Sequence, residues 1–356
     1  MASRATAERW LGALTNLPTA SGREEAVVEW VEAWVGRRDD LRLTRDDGGN
    51  LFITQKGRKS KDPVFAVAHM DHPAFVITGS DGSFEFRGWV DGAYFKDARI
   101  DVVSRLDGPG GRVVDYDPDS QLGLARFDGE VSSGDIAMWD FRTVRPGNGR
   151  FRAPACDDLA GAAAALAALD RARRQPGLRH LGVMLTRAEE VGLIGAIHAA
   201  KNHTIPDGSR LLSIETSREL PTARIGDGPI IRVGDRSTMF DRQMTNLITN
   251  AVRREGIVHQ RKLMDGGGCE ATAFGTYGYL ATGLCLALGN WHNRGNLAEV
   301  EAGDHSKAQP MLEEISIDDF HGLVDVLLIA AAAVDEPDPL EANLDRLYDS
   351  NRHYLG

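Results

Sequence analysis

Five short stretches of this chain place His, Asp or Glu at spacings that suit metal-assisted hydrolysis: His69-Met-Asp71, Cys156-Asp157-Asp158, Glu189-Glu190, Ser213-Ile-Glu215 and Asn290-Trp-His292. A neutral imidazole binds zinc through one ring nitrogen, and a carboxylate close by can hold the other and fix the tautomer. His69 with Asp71 has that form, while His72 reads as a spare polar residue. Asp157-Asp158 opens a small-residue helix with no basic residue beside it, and a carboxylate with two oxygens can bridge two cations. Glu189-Glu190 lies in a turn after an apolar run, where neighbouring carboxylates can point apart, one to a metal and one to a water. Taken singly, each stretch has a commoner, bland reading: a charge pair on a helix dipole, a solvated acidic turn, a core histidine.

Taken together, they offer more. His69, Asp157, Glu190, Glu215 and His292 supply two nitrogen donors and three carboxylates. Against two divalent cations the three negative charges leave a net +1, which a bound hydroxide brings near neutrality. A cation pair roughly 3.5–4 Å apart sharing one carboxylate is the usual co-catalytic arrangement. The donor types suit Zn, Co or Mn and need no cysteine.

Elements that would position these residues are readable from pattern. Residues 4–37 look helical in two pieces, with Ser21-Gly-Arg-Glu24 shaped like a capping box. Residues 51–54 and 64–68 read as strands, the second ending at His69. From 73 to 150 short alternating segments separated by Gly, Asp and Pro indicate a small β-barrel or sandwich. After Pro154 helix and strand alternate: helices over 159–173 and 191–200, strands over 180–186, 211–214 and 279–287, and a long apolar helix starting at Ser316-Ile-Asp-Asp319 and running to 334. This alternation predicts an α/β fold, a mostly parallel sheet flanked by helices, in which strand ends gather the site. The catalytic part would be 1–72 with 151–356, interrupted by a β-rich domain at 73–150.

Bulk properties narrow the class. At 356 residues, 42% hydrophobic, the chain can bury a large core unaided. Lys+Arg number 41 against Asp+Glu 52, a net charge of -11, which disfavours nucleic acid or an anionic membrane as the main partner. Cys156, Cys269 and Cys285 form no CxxC pair and point to neither a disulfide framework nor a thiolate zinc knuckle. A reducing cytoplasm is the simplest home. The apolar runs 160–169 and 324–334 are too short to span a bilayer.

In their order, HMD at 69–71, DDLAG at 157–161, EEVGL at 189–193, IET at 214–216 and WHN at 291–293 resemble the glutamyl aminopeptidase family, also called tetrahedral aminopeptidases, within the co-catalytic zinc peptidases. Ser133-Gly-Asp-Ile-Ala-Met-Trp-Asp140 and Gly228-Pro-Ile-Ile-Arg-Val-Gly234 are similar to further segments of that family. The resemblance implies a zinc-aminopeptidase-like sheet with an inserted barrel. It implies that His69 and Glu215 bind one metal, His292 and Glu190 the other, and that Asp157 bridges them. It implies Glu189 as general base, Asp71 as the residue that orients His69, and a cis Asp157–Asp158 peptide. It also implies dimers that build into hollow particles, dodecamers among them. The chain departs from the family at Glu215, usually Asp; at Leu159, usually basic; at His72, usually Glu; and at Gly267-Gly-Cys-Glu270-Ala, where GGTDA is typical.

The expected reaction is removal of N-terminal residues from peptides. Two cations lower the pKa of a shared water, Glu189 takes its proton, the hydroxide attacks the scissile carbonyl, and Glu189 returns the proton to the leaving amine. Competing readings are a carboxypeptidase or N-deacylase of the same clan, a non-catalytic metal-binding assembly protein, and a glycosidase with paired acids, which leaves the two histidines without a role.

Overall fold

A computed structural model describes residues 3–57, 62–141 and 149–355. Two helices open the chain, α1 (Arg4–Leu14) and α2 (Glu25–Gly36), followed by strands β1 (Leu41–Arg45), β2 (Leu51–Gln55) and β3 (Val64–His69). Six strands then close into a barrel: β4 (Ala74–Ile77), β5 (Ser83–Arg87), β6 (Arg99–Val102), β7 (Gly110–Asp117), β8 (Leu122–Phe127) and β9 (Ile136–Trp139). After β10 (Arg150–Ala153) come α3 (Leu159–Ala172), β11 (Leu181–Thr186), α4 (Ile194–Lys201), β12 (Arg210–Arg218), β13 (Ile230–Gly234), α5 (Arg242–Arg254), β14 (Gln260–Leu263), α6 (Glu270–Thr276) and β15 (Leu280–Leu288). The two-residue strands β16 (Arg294–Gly295) and β17 (Gln309–Pro310) flank α7 (Leu297–Glu301), and β18 (Glu313–Ser316) leads into α8 (Ile317–Ala333) and α9 (Pro339–Asn351).

The main sheet has eight strands in the order β1-β2-β11-β3-β12-β15-β13-β14. Its centre, β11-β3-β12-β15, is parallel, and antiparallel pairs join β1 to β2, β2 to β11 and β13 to β15. Every residue of β3 and β11 is buried, which is why both read as unbroken apolar runs rather than alternating ones: helices cover both faces. In α3 all but one of fourteen residues are buried. Its eight alanines between 160 and 172 let it lie close to the sheet on one side and to α1 and α8 on the other, where larger side chains would not fit. Ser316 caps α8 by accepting from the Asp319 amide at 3.2 Å, as its sequence suggests.

The barrel has its own core, built on aromatic rings. Phe75 lies edge-on to Trp139 at 4.7 Å between centroids, and Phe95 stacks on Tyr116 at 3.6 Å. Alternation on β5, with Phe84 and Phe86 inward, supplies the period-two signal. All three cysteines are free and buried. No helix among the described residues is long and apolar enough to cross a membrane.

Two local expectations are corrected. Ser21 and Glu24 do not form a capping box: α2 starts at Glu25 with Glu24 at its cap position and no side-chain cap. Ser21 instead donates to Asp71, and Glu24 accepts from Arg187 and the Ala188 amide in the turn that carries Glu189 and Glu190. The helix expected over 191–200 starts only at Ile194, because Ala188 (φ 52°), Gly192 (φ 116°) and Leu193 (φ 61°) hold the preceding segment in a turn.

Candidate metal centre

The parallel strands end on one edge of the sheet, and the sequence-marked residues meet there. His69 closes β3, opposite Thr186 of β11, and Glu215 lies in β12 opposite Cys285 of β15. Asp157 precedes α3, Glu189 and Glu190 follow β11, and His292 lies in the turn after β15. His69, Asp157, Glu190, Glu215 and His292 are all at least nine-tenths buried.

Two His/carboxylate trios that could hold a metal ion share one residue. One atom each from His69, Asp157 and Glu215 lie within 4.8 Å of one another, and the same holds for Asp157, Glu190 and His292. The Nε2 atom of His69 is 3.4 Å from Oδ1 of Asp157, and Nε2 of His292 is 3.6 Å from Oδ2. The two oxygens of one carboxylate thus face two imidazoles. His292 Nε2 also lies 3.1 Å from Glu190 Oε2. Glu189 is next to this set: its Oε2 is 3.9 Å from His69 Nε2. The Asp157–Asp158 peptide is cis.

Do these residues suit cations? Asp157 Oδ1, Glu190 Oε1 and Glu215 Oε1 are buried and receive no hydrogen bond from any described residue. Buried carboxylate oxygens without a donor are costly, and three of them converging beside two imidazoles fit divalent cations. The electrostatics agree. Burial opposes the charged form of His292, yet Glu190 and Asp157 raise its pKa to about 10. Burial likewise opposes ionisation of Asp157, but His292 and His69 hold its pKa well below the usual carboxylate range. Glu189 is pushed well above that range, first by burial and then by repulsion from Glu215, Glu190 and Asp71.

Two buried carboxylates outside these trios hold the ligand loops. Asp71 accepts from Ser21 Oγ at 2.6 Å and from the amides of Glu189 and Glu190 at 3.0 and 3.1 Å. Its own carbonyl is 3.1 Å from Nδ1 of His69, closer than its carboxylate at 3.5 Å. Glu313 of β18 accepts from the amides of Cys156 and Asp157 at 2.8 and 3.0 Å through Oε2, and from the His292 amide at 2.8 Å through Oε1. Its neighbour in this layer is His72, whose Nδ1 is 2.7 Å from the Asp157 carbonyl and whose Nε2 is 3.1 Å from Asn293 Oδ1. His72 therefore ties the Asp157 turn to the His292 turn. Those turns are conformationally demanding: Asn290, His292 and Asn293 all have φ between 54° and 60°, a region that L side chains adopt only under outside constraint.

Sequence reasoning missed Glu313, whose only signal is one more acid pair at the head of a short β-rich run. It also missed two contacts of the tryptophans. Trp291 Nε1 donates to Asp157 Oδ2 at 3.1 Å. The carbonyl of Trp89, from the loop after β5 of the barrel, is 3.1 Å from His292 Nδ1; a hydrogen bond accepted there directs Nε2 toward Glu190 and Asp157. The site opens into a cavity of about 470 Å³ walled by Trp89, Leu193, Met264 and Trp291, with Arg232 and Arg236 also in its lining. This volume suits a small ligand or the end of a chain.

Solved structures share this fold. The Pyrococcus horikoshii TET1 peptidase aligns over 91% of this chain and 99% of its own, with TM-score 0.73 at 21% identity. An aminopeptidase of the archaeon Desulfurococcus kamchatkensis aligns over 95% of this chain and 96% of its own, with TM-score 0.72 at 23% identity. A TET aminopeptidase from a marine-sediment thaumarchaeon aligns over 93% and 98%, with TM-score 0.73 at 19% identity. The architecture is thus that of the TET aminopeptidases, a mixed α/β sheet with a closed six-stranded barrel. The sequence profile of the M42 glutamyl aminopeptidase family matches residues 127–306, just over half of the chain. The chain belongs to that family, and it is a peptidase, a hydrolase of peptide bonds.

Proposed function

We propose that this chain is a two-metal aminopeptidase that removes N-terminal residues from peptides. The observation that supports this reading best is the pair of His/carboxylate trios joined at Asp157, with three buried carboxylate oxygens that have no donor among the described residues. His69 and Glu215 would hold one cation, His292 and Glu190 the other, and Asp157 both; Zn is the first choice of metal, with Co or Mn as alternatives. When bound, the cations supply Lewis-acid polarisation of the scissile carbonyl and acidify the attacking water.

The chain's own residues do the rest. Glu189 is the proton acceptor: it stands beside the trios, it is largely shielded from solvent, and its raised basicity suits taking a proton from water and passing it to the leaving amine. Asp71 fixes both the His69 ring and the turn that aims Glu189 and Glu190 in different directions. The barrel, as a domain over 73–150 inserted between 1–72 and 151–356, would join in this work through the Trp89 carbonyl and would limit access to the cavity. P. horikoshii TET1 can assemble into a tetrahedron or a large octahedral shell; we extend this to a dimer-based homo-oligomer here. The free buried cysteines suit a reducing cytoplasm.

Replacing the base separates its role from metal binding. Glu189→Gln should keep two equivalents of metal by elemental analysis and lower turnover of aminoacyl amides by roughly 10²–10⁴-fold. Unchanged turnover would remove the assignment.

A further inference from the structure

The turn that carries Glu189 and Glu190 is held by its own amides. Four successive main-chain N–H groups donate to side chains from upstream in the chain. Arg187 donates to Asn50 Oδ1 at 3.2 Å and Ala188 to Glu24 Oε1 at 3.1 Å, while Glu189 and Glu190 donate to the two carboxylate oxygens of Asp71 at 3.0 and 3.1 Å. The carbonyls of Arg187 and Ala188 accept from the amides of Gly195 and Ile194 at 2.9 and 3.1 Å. Glu24, Asn50 and Asp71 are all buried, so these amides have protein partners in place of water.

Glu24 differs from the other two. Asp71 also faces His69, and Asn50 meets the turn one residue earlier. Glu24 meets it at Ala188, whose φ of 52° lies in the left-handed region. An L side chain stays there only under outside constraint, whereas glycine needs none. Oε1 of Glu24 also accepts from the Gly22 amide at 2.8 Å, and its Oε2 accepts from two guanidinium nitrogens of Arg187, Nε at 2.7 Å and Nη2 at 2.6 Å. One oxygen thus fixes the Arg187 side chain through charge-assisted bonds while the other fixes the next amide. Beyond Ala188 the adjacent carboxylates go to different imidazoles. Glu189 Oε2 is 3.9 Å from Nε2 of His69, and Glu190 Oε2 is 3.1 Å from Nε2 of His292.

We propose that Glu24 is a positioning residue: with Arg187 it locks Ala188 in the left-handed conformation and so aims the Glu189 carboxylate at the site. This rests on the reading of Glu189 as the proton acceptor. Among the described residues the Glu24 carboxylate accepts only from main-chain amides and Arg187, so its loss should misplace the base without emptying the site. A misplacement of about 1 Å can cost on the order of 10²-fold in rate. Such an error falls on kcat and leaves KM alone.

Kinetics on an aminoacyl amide, with amide hydrogen exchange of residues 186–193, test the clamp in the metal-loaded protein. Glu24→Gln keeps the size of the side chain but cannot serve both Arg187 and the Ala188 amide. It should lower kcat by roughly 10–100-fold with KM within about twofold of the parent. It should also retain as much metal as the parent by elemental analysis and exchange faster across the turn. Adding Ala188→Gly to Glu24→Gln should recover most of the lost kcat, because glycine adopts a positive φ unaided. Ala188→Val, with Glu24 and Arg187 intact, should lower kcat by a similar factor, because a β-branched residue resists that conformation; it serves even if Glu24→Gln does not fold. An unchanged kcat in either single variant, a rise in KM alone, unchanged exchange in Glu24→Gln, or a double variant no faster than Glu24→Gln would overturn the clamp. Glu189→Gln separates the two claims. If it turns over like the parent, the base assignment fails and the proposal with it; if it loses turnover while Glu24→Gln does not, the clamp alone fails.

Discussion

The two halves of the site are built on the same device with opposite electrostatics. On the His69 side, Asp71 gathers one hydroxyl and two amides, and the turn it holds carries Glu189 and Glu190. On the His292 side, Glu313 gathers three amides, and the turns it holds carry Asp157 and His292. Burial opposes ionisation of both. Asp71 is nevertheless held below the ordinary carboxylate range, because His69 and Ser21 face it. Glu313 is pushed up to about 7, because burial outweighs the attraction of His72, with Asp157 adding repulsion. The pKa of one anchor is thus lowered and that of the other raised. The contrast shows that hydrogen-bond donors alone do not fix the charge of a buried carboxylate; the balance between burial and its charged neighbours does.

The largest expected effect comes from removing each anchor in turn. Glu313→Gln should weaken the cation held by Glu190 and His292 by roughly 10–100-fold, the usual cost of losing a group that orients ligands. Asp71→Asn should also weaken the proposed cation of His69 and Glu215, because Asp71 holds the His69 ring as well as the Glu190 amide. Chelator titrations that resolve two binding steps would read this. If Asp71→Asn left the His69 step unchanged, the division into two halves would fail.

A smaller effect should appear in pH dependence. In metal-free protein Glu313 has a folded-state pKa above its unfolded value, so the folded state binds the extra proton and stability should fall as pH rises from about 4.5 through about 7. Asp71 has the opposite sign: its contribution is present above the unfolded pKa and is lost as pH falls through its lower folded value. Glu313→Gln should therefore flatten the neutral-range slope of the melting temperature by a few degrees, and Asp71→Asn should not. Equal slopes in the parent and in Glu313→Gln would show that Glu313 is already ionised at low pH.

The sequence makes one of these anchors legible and hides the other. Asp71 lies two residues from His69, so local spacing exposes it. Glu313 is 156 residues from Asp157 and 21 from His292, and it acts through main-chain amides that have no residue type. The same limit explains Ser21 and Glu24. Their local pattern fits a helix cap, but Ser21 donates to Asp71, and Glu24 accepts from Arg187 Nε at 2.7 Å and from the Ala188 amide at 3.1 Å. A buried loop with free amides outcompeted a helix end that water can satisfy. The central sheet and the barrel were readable because unbroken apolar runs and period-two aromatics are local signals. The outer strands β13 and β14 were not, since Arg232 and the polar Gln260-Arg-Lys segment disguise them; Arg232 is buried all the same, donating to Ser217 Oγ at 3.2 Å.

Anomalous diffraction at the zinc edge, from crystals grown with zinc, addresses the bridging role of Asp157 most directly. The account predicts two peaks roughly 3.5–4 Å apart, one among His69, Asp157 and Glu215 and the other among Asp157, Glu190 and His292. A single peak, or two peaks that do not share Asp157, would contradict it.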